Sequence, residues 1–124
     1  MNSKSQKIIF SSIVLMVVIL LFTVIDHSIH GLEDAWKVPD YYFRNKIPFG
    51  FLWGLVGLLL ARKTQNIWLK AFAVAGTIAI TLQVRYFIEG YPLDFVLLFL
   101  LIHFTILYFL SIGMFTMFNK YIKN

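Results

Sequence analysis

The sequence contains no cysteine. A secreted disulfide scaffold, thiol redox chemistry and haem attachment through paired cysteines are excluded together. Charge is scarce as well, since Asp, Glu, Lys and Arg make up 14% of the 124 residues. A disordered tail needs far more. The chain also lacks a nucleotide-binding loop, a Ser-His-Asp set and an HExxH helix, so the common soluble catalytic frameworks are missing.

What is present is apolar: 60% hydrophobic and 18% aromatic residues, with a mean hydropathy of +0.79. Soluble domains of this size hold about half apolar residues, because much of their chain lies at the surface. The excess points to lipid as solvent and excludes an ordinary cytosolic enzyme. The net charge of +5 raises the question of nucleic acid. Its bases do not cluster with aromatic platforms, so no nucleic-acid partner is expected and membrane topology is the better account.

Four apolar runs predict an all-α, polytopic membrane protein with a single four-helix domain over residues 1–124. The first, 8–25, has no charge across 18 residues, about 27 Å as a helix. Thr23-Val24-Ile25 lacks the small residues of a signal-peptidase site, so the run is expected to be an uncleaved anchor. The second, 47–61, is about 22 Å long with Pro48 in its first turn. It is expected to cross fully, a re-entrant segment being the alternative. The third and fourth are 67–88 and 93–118, joined by Glu89-Gly90-Tyr91-Pro92. No repeat or second domain is visible.

These spans sort the charges. Lys4, Lys7, Arg62, Lys63, Lys70, Lys120 and Lys123 fall on one side with no acid, while Lys37, Arg44, Lys46 and Arg85 share the other with all six acids. The excess of bases on the first side predicts a multi-pass cell-membrane protein with both termini cytoplasmic. Aromatics mark both interfaces, with Trp68 and Tyr121 on one and Trp36, Tyr41, Tyr42, Tyr86 and Tyr91 on the other. The segment Trp36–Arg44 reads as an interfacial anchor or a docking surface for a larger partner. Arg44 and Lys46 are expected to snorkel.

Helices in lipid associate through small residues and interhelical hydrogen bonds. Gly50, Gly54 and Gly57 share one face of the second helix and Ala71, Ala75 and Ala79 one face of the third. These faces are expected to meet, within one chain or across a dimer seam. Thr77, Thr81, Arg85 and His103 are the intramembrane polar groups. The threonines are expected to bond their own backbone, Arg85 to reach Glu89 or Asp94, and His103 to bond Thr77 or Thr81, unless it serves a proton relay, a substrate or a partner subunit.

The outward loop, 26–46, opens with Asp26-His27-Ser28-Ile29-His30-Gly31-Leu32-Glu33-Asp34. On a continuing helix Asp26, His30 and Asp34 lie four residues apart with His27 beside them, a spacing that suits zinc or copper. Gly31 sets the alternative, a helix that ends before Asp34. Asp26-x-x-x-His30 is similar over this one turn to a fragment among the ligands of the integral subunits of copper membrane monooxygenases. That resemblance implies a companion subunit of such a complex.

Three functions follow. The first is a non-catalytic accessory or assembly subunit of a larger membrane complex, bound to lipid and to other subunits or to itself. The second is a membrane-embedded metal-dependent enzyme with Asp26, His27, His30 and Asp34 as ligands and Glu33 as base. The third is a small proton-coupled transporter centred on His103. Four-helix multidrug exporters carry a carboxylate within their first span, and residues 8–25 have none. The marked charge asymmetry likewise separates the chain from dual-topology fluoride channels.

Overall fold

A computed structural model describes residues 3–118. Lys120, Tyr121 and Lys123 lie outside the described residues, as do the side chains of Ser3 and Lys4. The described chain is helical: α1 spans Ser3–His30, α2 Tyr41–Leu60, α3 Ile67–Ile88 and α4 Leu93–Met117, with a single 3-10 turn at Asp34–Trp36. Each helix packs on its neighbours in sequence, and α4 closes back on α1. Three helices, α1, α3 and α4, are long and apolar enough to cross a membrane. The third and fourth expected spans agree with α3 and α4 almost to the residue. By contrast, α1 runs five residues beyond Ile25, and α2 begins six before Ile47, so the connection between them is shorter than 26–46.

Local chemistry explains the boundaries. At the end of α1 the Gly31 amide donates to the His27 carbonyl (3.3 Å) and the Leu32 amide to that of Ile29 (3.1 Å). The helix stops at His30, and Asp34 is not carried on α1. Asn66 caps α3, its Oδ1 accepting from the amides of Trp68 (2.9 Å) and Leu69 (3.4 Å). Gly90 has φ +91°, and at its position the Gly90 amide reaches the Phe87 carbonyl (3.2 Å) while the Tyr91 amide reaches that of Tyr86 (3.2 Å). This pair of bonds, with Tyr91 packed on Tyr86 at 5.4 Å, closes α3 in the Schellman manner and turns the chain into Pro92. Pro48 lies two turns inside α2, not in its first turn. It has no amide to offer the Arg44 carbonyl, a loss tolerated near a helix start better than at its middle.

The core runs along stripes. Leu15, Ile19 and Phe22 on α1, Ala71, Ala75 and Ala79 on α3, and Phe99, Leu107 and Phe115 on α4 are all essentially inaccessible. Side chains such as Ile8, Val24, Phe72, Leu101 and Phe109 point outward and are well exposed. In a helix that is apolar all round, that outer surface suits lipid. The three glycines of α2 are buried against α1 and α3. Their nearest atoms on α3 belong to Ala73, Val74, Thr77 and Ile78, the stripe beside the expected alanines. A methyl at Gly57 would lie 2.8 Å from the Ala73 carbonyl oxygen and from the Val74 Cα, both backbone atoms. At Gly54 it would meet only the ends of Leu15 and Ile78. Gly57→Ala should therefore lower stability by about 1–3 kcal/mol. Gly76→Ala, with nothing within 4 Å of the new methyl, should be neutral or stabilising by about 0.5–1 kcal/mol. Thermal unfolding of the two variants in dodecyl maltoside checks the contrast.

Candidate metal centre

Each helix brings one or two polar groups to a common point in the bundle. Asp26 and His30 come from α1, Lys46 from α2, Gln83 and Tyr86 from α3 and His103 from α4. Asp26 and His103 have no accessible surface, and His30, Lys46 and Gln83 have at most 4%. Burial on this scale is tolerated only when every group has a partner.

The carboxylate of Asp26 is the hub. One oxygen, Oδ2, receives the Lys46 ammonium, which also lies 5.0 Å from the ring centre of Phe43 and 5.2 Å from that of Tyr86. The other, Oδ1, lies 2.9 Å from His103 Nε2 and 3.3 Å from His30 Nε2. Around them Phe22, Phe43, Phe95 and Phe99 form an aromatic wall, with Phe99 stacked on the His30 ring at 4.1 Å and 6°.

The second nitrogen of each imidazole settles its proton. His30 Nδ1 is 2.7 Å from the Trp36 carbonyl, which can only accept, so Nδ1 carries hydrogen. The Gln83 amide donates from Nε2 to the Val96 carbonyl, which turns its Oε1 to His103 Nδ1 at 2.7 Å. That oxygen also only accepts, so His103 carries its hydrogen on Nδ1 too. In the neutral rings both Nε2 atoms then present lone pairs. The Tyr86 hydroxyl, 3.2 Å away, can donate to that of His30. Nothing comparable lies between His103 Nε2 and Asp26 Oδ1, two acceptors at 2.9 Å. A positive charge is needed at that point, either a proton or a metal ion.

Asp26, His30 and His103 form a group whose ligand atoms lie within 4.8 Å of one another, and it could hold a metal ion. Zinc bonds of about 2.0–2.1 Å in a tetrahedron separate neighbouring ligand atoms by about 3.3 Å. The 3.3 Å from Asp26 Oδ1 to His30 is of that size, and the 2.9 Å to His103 is the length of a hydrogen bond. Both imidazoles also donate their far N–H to a carbonyl oxygen, the outer contact that orients metal-binding histidines.

Compared with known protein families, curated proteins and solved structures, the chain matches none.

Of the residues expected to bind metal, Asp26 and His30 are brought together, while His27 and Asp34 stand apart. His27 is exposed and packs its ring on Phe43 at 4.7 Å. Asp34 sits on the 3-10 turn, 98% exposed and paired with Lys37 at 3.2 Å. The physical reason is rotation: residues 26 and 30 share the inward face of α1, residue 27 is turned about 100° away, and Gly31 ends the helix before residue 34. His103 takes a place in the group and does not bond Thr77 or Thr81. Both threonine hydroxyls donate to carbonyls one turn back in α3, Thr77 to Ala73 (3.0 Å) and Thr81 to Thr77 (2.8 Å). Arg85 reaches Glu89 at 3.9 Å, with its guanidinium 4.6 Å from the Tyr42 ring centre.

Lys46, Gln83 and Tyr86 were not anticipated as site residues. The first two continue small-residue stripes, Lys46 four residues before Gly50 and Gln83 four after Ala79. Such a stripe marks a buried face, so a polar side chain at its end lies inside. Lys46 therefore turns inward and does not snorkel. Trp36 and Tyr42 also fold inward, Trp36 edge-on to Phe99 at 5.6 Å and Tyr42 stacked on Tyr86 at 5.7 Å.

Removing one partner of a buried ion pair strands the other. In metal-free protein Lys46→Met should cost about 3–5 kcal/mol of stability, and adding Asp26→Asn to it should restore much of that loss. Unfolding of both variants by SDS titration in the presence of a chelator is the measurement.

Proposed function

We propose that this chain is an integral membrane protein that holds one zinc or copper(II) ion inside its bundle, on Asp26 Oδ1, His30 Nε2 and His103 Nε2. The observation that carries the reading is the convergence of two imidazole lone pairs on one carboxylate oxygen, with both outer nitrogens already committed as donors. Two imidazoles and a carboxylate suit either metal. Tyr86 stands beside the set and would orient or complete it.

An outward cavity of about 210 Å³ supports a route for the ion. His30 lines it together with His27, Lys37 and Asp40. Pockets for organic ligands run from about 300 to 1,000 Å³. This one suits water and an ion better than a substrate, which favours a non-catalytic role over a metal-dependent enzyme. The fitting role is an accessory subunit that keeps or hands on an ion within a larger membrane complex. A companion subunit of a copper membrane enzyme is one form of that role.

In the same reading α2 is a fourth crossing and both termini are cytoplasmic. Its 20 residues reach about 30 Å as a helix. Its one buried cation, Lys46, is paired within the bundle, so it does not oppose insertion as an isolated charge would. The sequence's asymmetry of bases sets the orientation.

Lys46 distinguishes metal from proton. An ion at Oδ1 meets the ammonium on Oδ2, so binding is opposed by that charge and by the protons its ligands can carry. Wild-type protein should bind one equivalent of zinc or copper, and its affinity should fall about tenfold for each proton displaced per pH unit as the solution is acidified. His103→Ala should lose at least tenfold in affinity, and His27→Ala should retain it. Lys46→Met should bind the ion more tightly than wild type and recover stability on loading. Isothermal titration in detergent, read beside thermal unfolding, checks all four. Stoichiometric binding that His103→Ala leaves unchanged would contradict the site.

The Asp26–Lys46 pair also favours a second reading, in which the centre passes a proton through His103. The pair balances charge without an ion, and a proton between Oδ1 and Nε2 would satisfy both. That reading predicts proton flux in proteoliposomes that His103→Ala abolishes, and no metal stoichiometry.

A further inference from the structure

The opposite end of the bundle holds a larger cavity, about 620 Å³, between the start of α1 and the end of α2, with the first turn of α3 as its third wall. Four cations line it: Lys7 from α1, Arg62 and Lys63 from the α2–α3 connection and Lys70 from α3. All six Asp and Glu side chains lie at residues 26, 33, 34, 40, 89 and 94. Among the described residues no ion pair involves any of the four, and Arg62 donates only to the Leu59 carbonyl, at 3.0 Å. Lys7 and Lys70 are half-buried, so they do not simply extend into water. Four like charges around one cavity repel each other unless an anion joins them.

The rest of the lining is apolar, including Leu55 and Leu59. Trp68, 61% exposed at this end, marks the level of a membrane interface. An inorganic anion would answer the charges and leave the leucines unfilled. A zwitterionic lipid would fill the cavity but bring its own ammonium among the four cations and so cancel the charge of its phosphate. We propose that the cavity binds the head and upper acyl segment of an anionic phospholipid, its phosphate held by Lys7, Arg62, Lys63 and Lys70 and its first methylenes against Leu55 and Leu59. Basic pockets between membrane helices recognise acidic headgroups on the same physical grounds. The site is independent of the metal centre, which lies at the other end of the helices.

The test uses full-length protein in neutral detergent, titrated with phosphatidylglycerol, with phosphatidylcholine of the same acyl chains, and with inorganic phosphate. Lipid-bound species are counted by native mass spectrometry, and thermal unfolding is followed in parallel. Phosphatidylglycerol should bind with one saturable equivalent and raise the unfolding temperature. Phosphatidylcholine should bind at least tenfold more weakly, and phosphate at the same concentration should produce no shift. Lys63→Gln combined with Lys70→Gln should weaken phosphatidylglycerol binding about tenfold, while unfolding in phosphatidylcholine stays as in wild type. Lys37→Gln combined with Arg44→Gln, two exposed bases at the far end, should leave binding unchanged. Equal binding of the two lipids overturns the proposal. So does a shift with phosphate alone, which would make this an ion site, or an equal loss in the far-end variant, which would make the effect one of general charge.

Discussion

A carboxylate without access to water must be matched by positive charge, and Asp26 sets that condition at the heart of this bundle. Its two oxygens have separate tasks. Oδ2 takes the Lys46 ammonium, which brings α2 against α1. Oδ1 faces His30 and His103, which brings in α4, and Gln83 from α3 holds the His103 ring in place. In lipid the apolar faces gain little from meeting one another, so such contacts, with the close approach at Gly57, give the four helices a defined arrangement. The same network explains why helices with so little contrast between their faces settle in one rotation. Turning α1 by one residue would replace Asp26 with Ile25 or His27 and leave Lys46 and His103 unanswered.

Polar commitments around the centre leave its function narrow. Once Trp36 and Gln83 have taken the Nδ1 hydrogens, the neutral rings can offer only lone pairs inward. Where Asp26 Oδ1 meets the His103 lone pair, two states satisfy both acceptors, one with an extra proton and one with an ion. The meeting of two imidazoles on one carboxylate suits the ion, while the 2.9 Å contact to His103 and the Lys46 charge suit the proton. The proposed metal reading makes Lys46 the group that matches the Asp26 charge before loading and resists the ion on arrival.

Much of this was legible in the residues, and the part that was not has a physical cause. Apolar runs located all four helices, and the bounds of α3 and α4 needed almost no revision. α1 and α2 extend past the apolar runs because those runs end at a charge, and a helix need not. Asp26, His30, Arg44 and Lys46 lie on continuing helix, and three of them are inside, where pairing removes the penalty that a lone charge would suffer in lipid. Asp26 and His30 were recognisable from their spacing. His27 and Asp34 were grouped with them because linear proximity does not distinguish the inward face from its neighbour. Gln83 and Lys46 extend the alanine and glycine stripes, so their burial could be read. Their convergence with His103 could not, since it depends on how far each helix is offset along its neighbours.

The central claim is that two imidazoles and one carboxylate bind the same ion. X-ray absorption of the zinc-loaded protein, after removal of loosely held metal, tests it most directly. The account predicts a low-coordinate zinc with two imidazole nitrogens and oxygen ligands at about 2.0–2.1 Å, and loss of one imidazole from the spectrum of His103→Ala. A spectrum of oxygen ligands alone, or one that His103→Ala leaves unaltered, would contradict it.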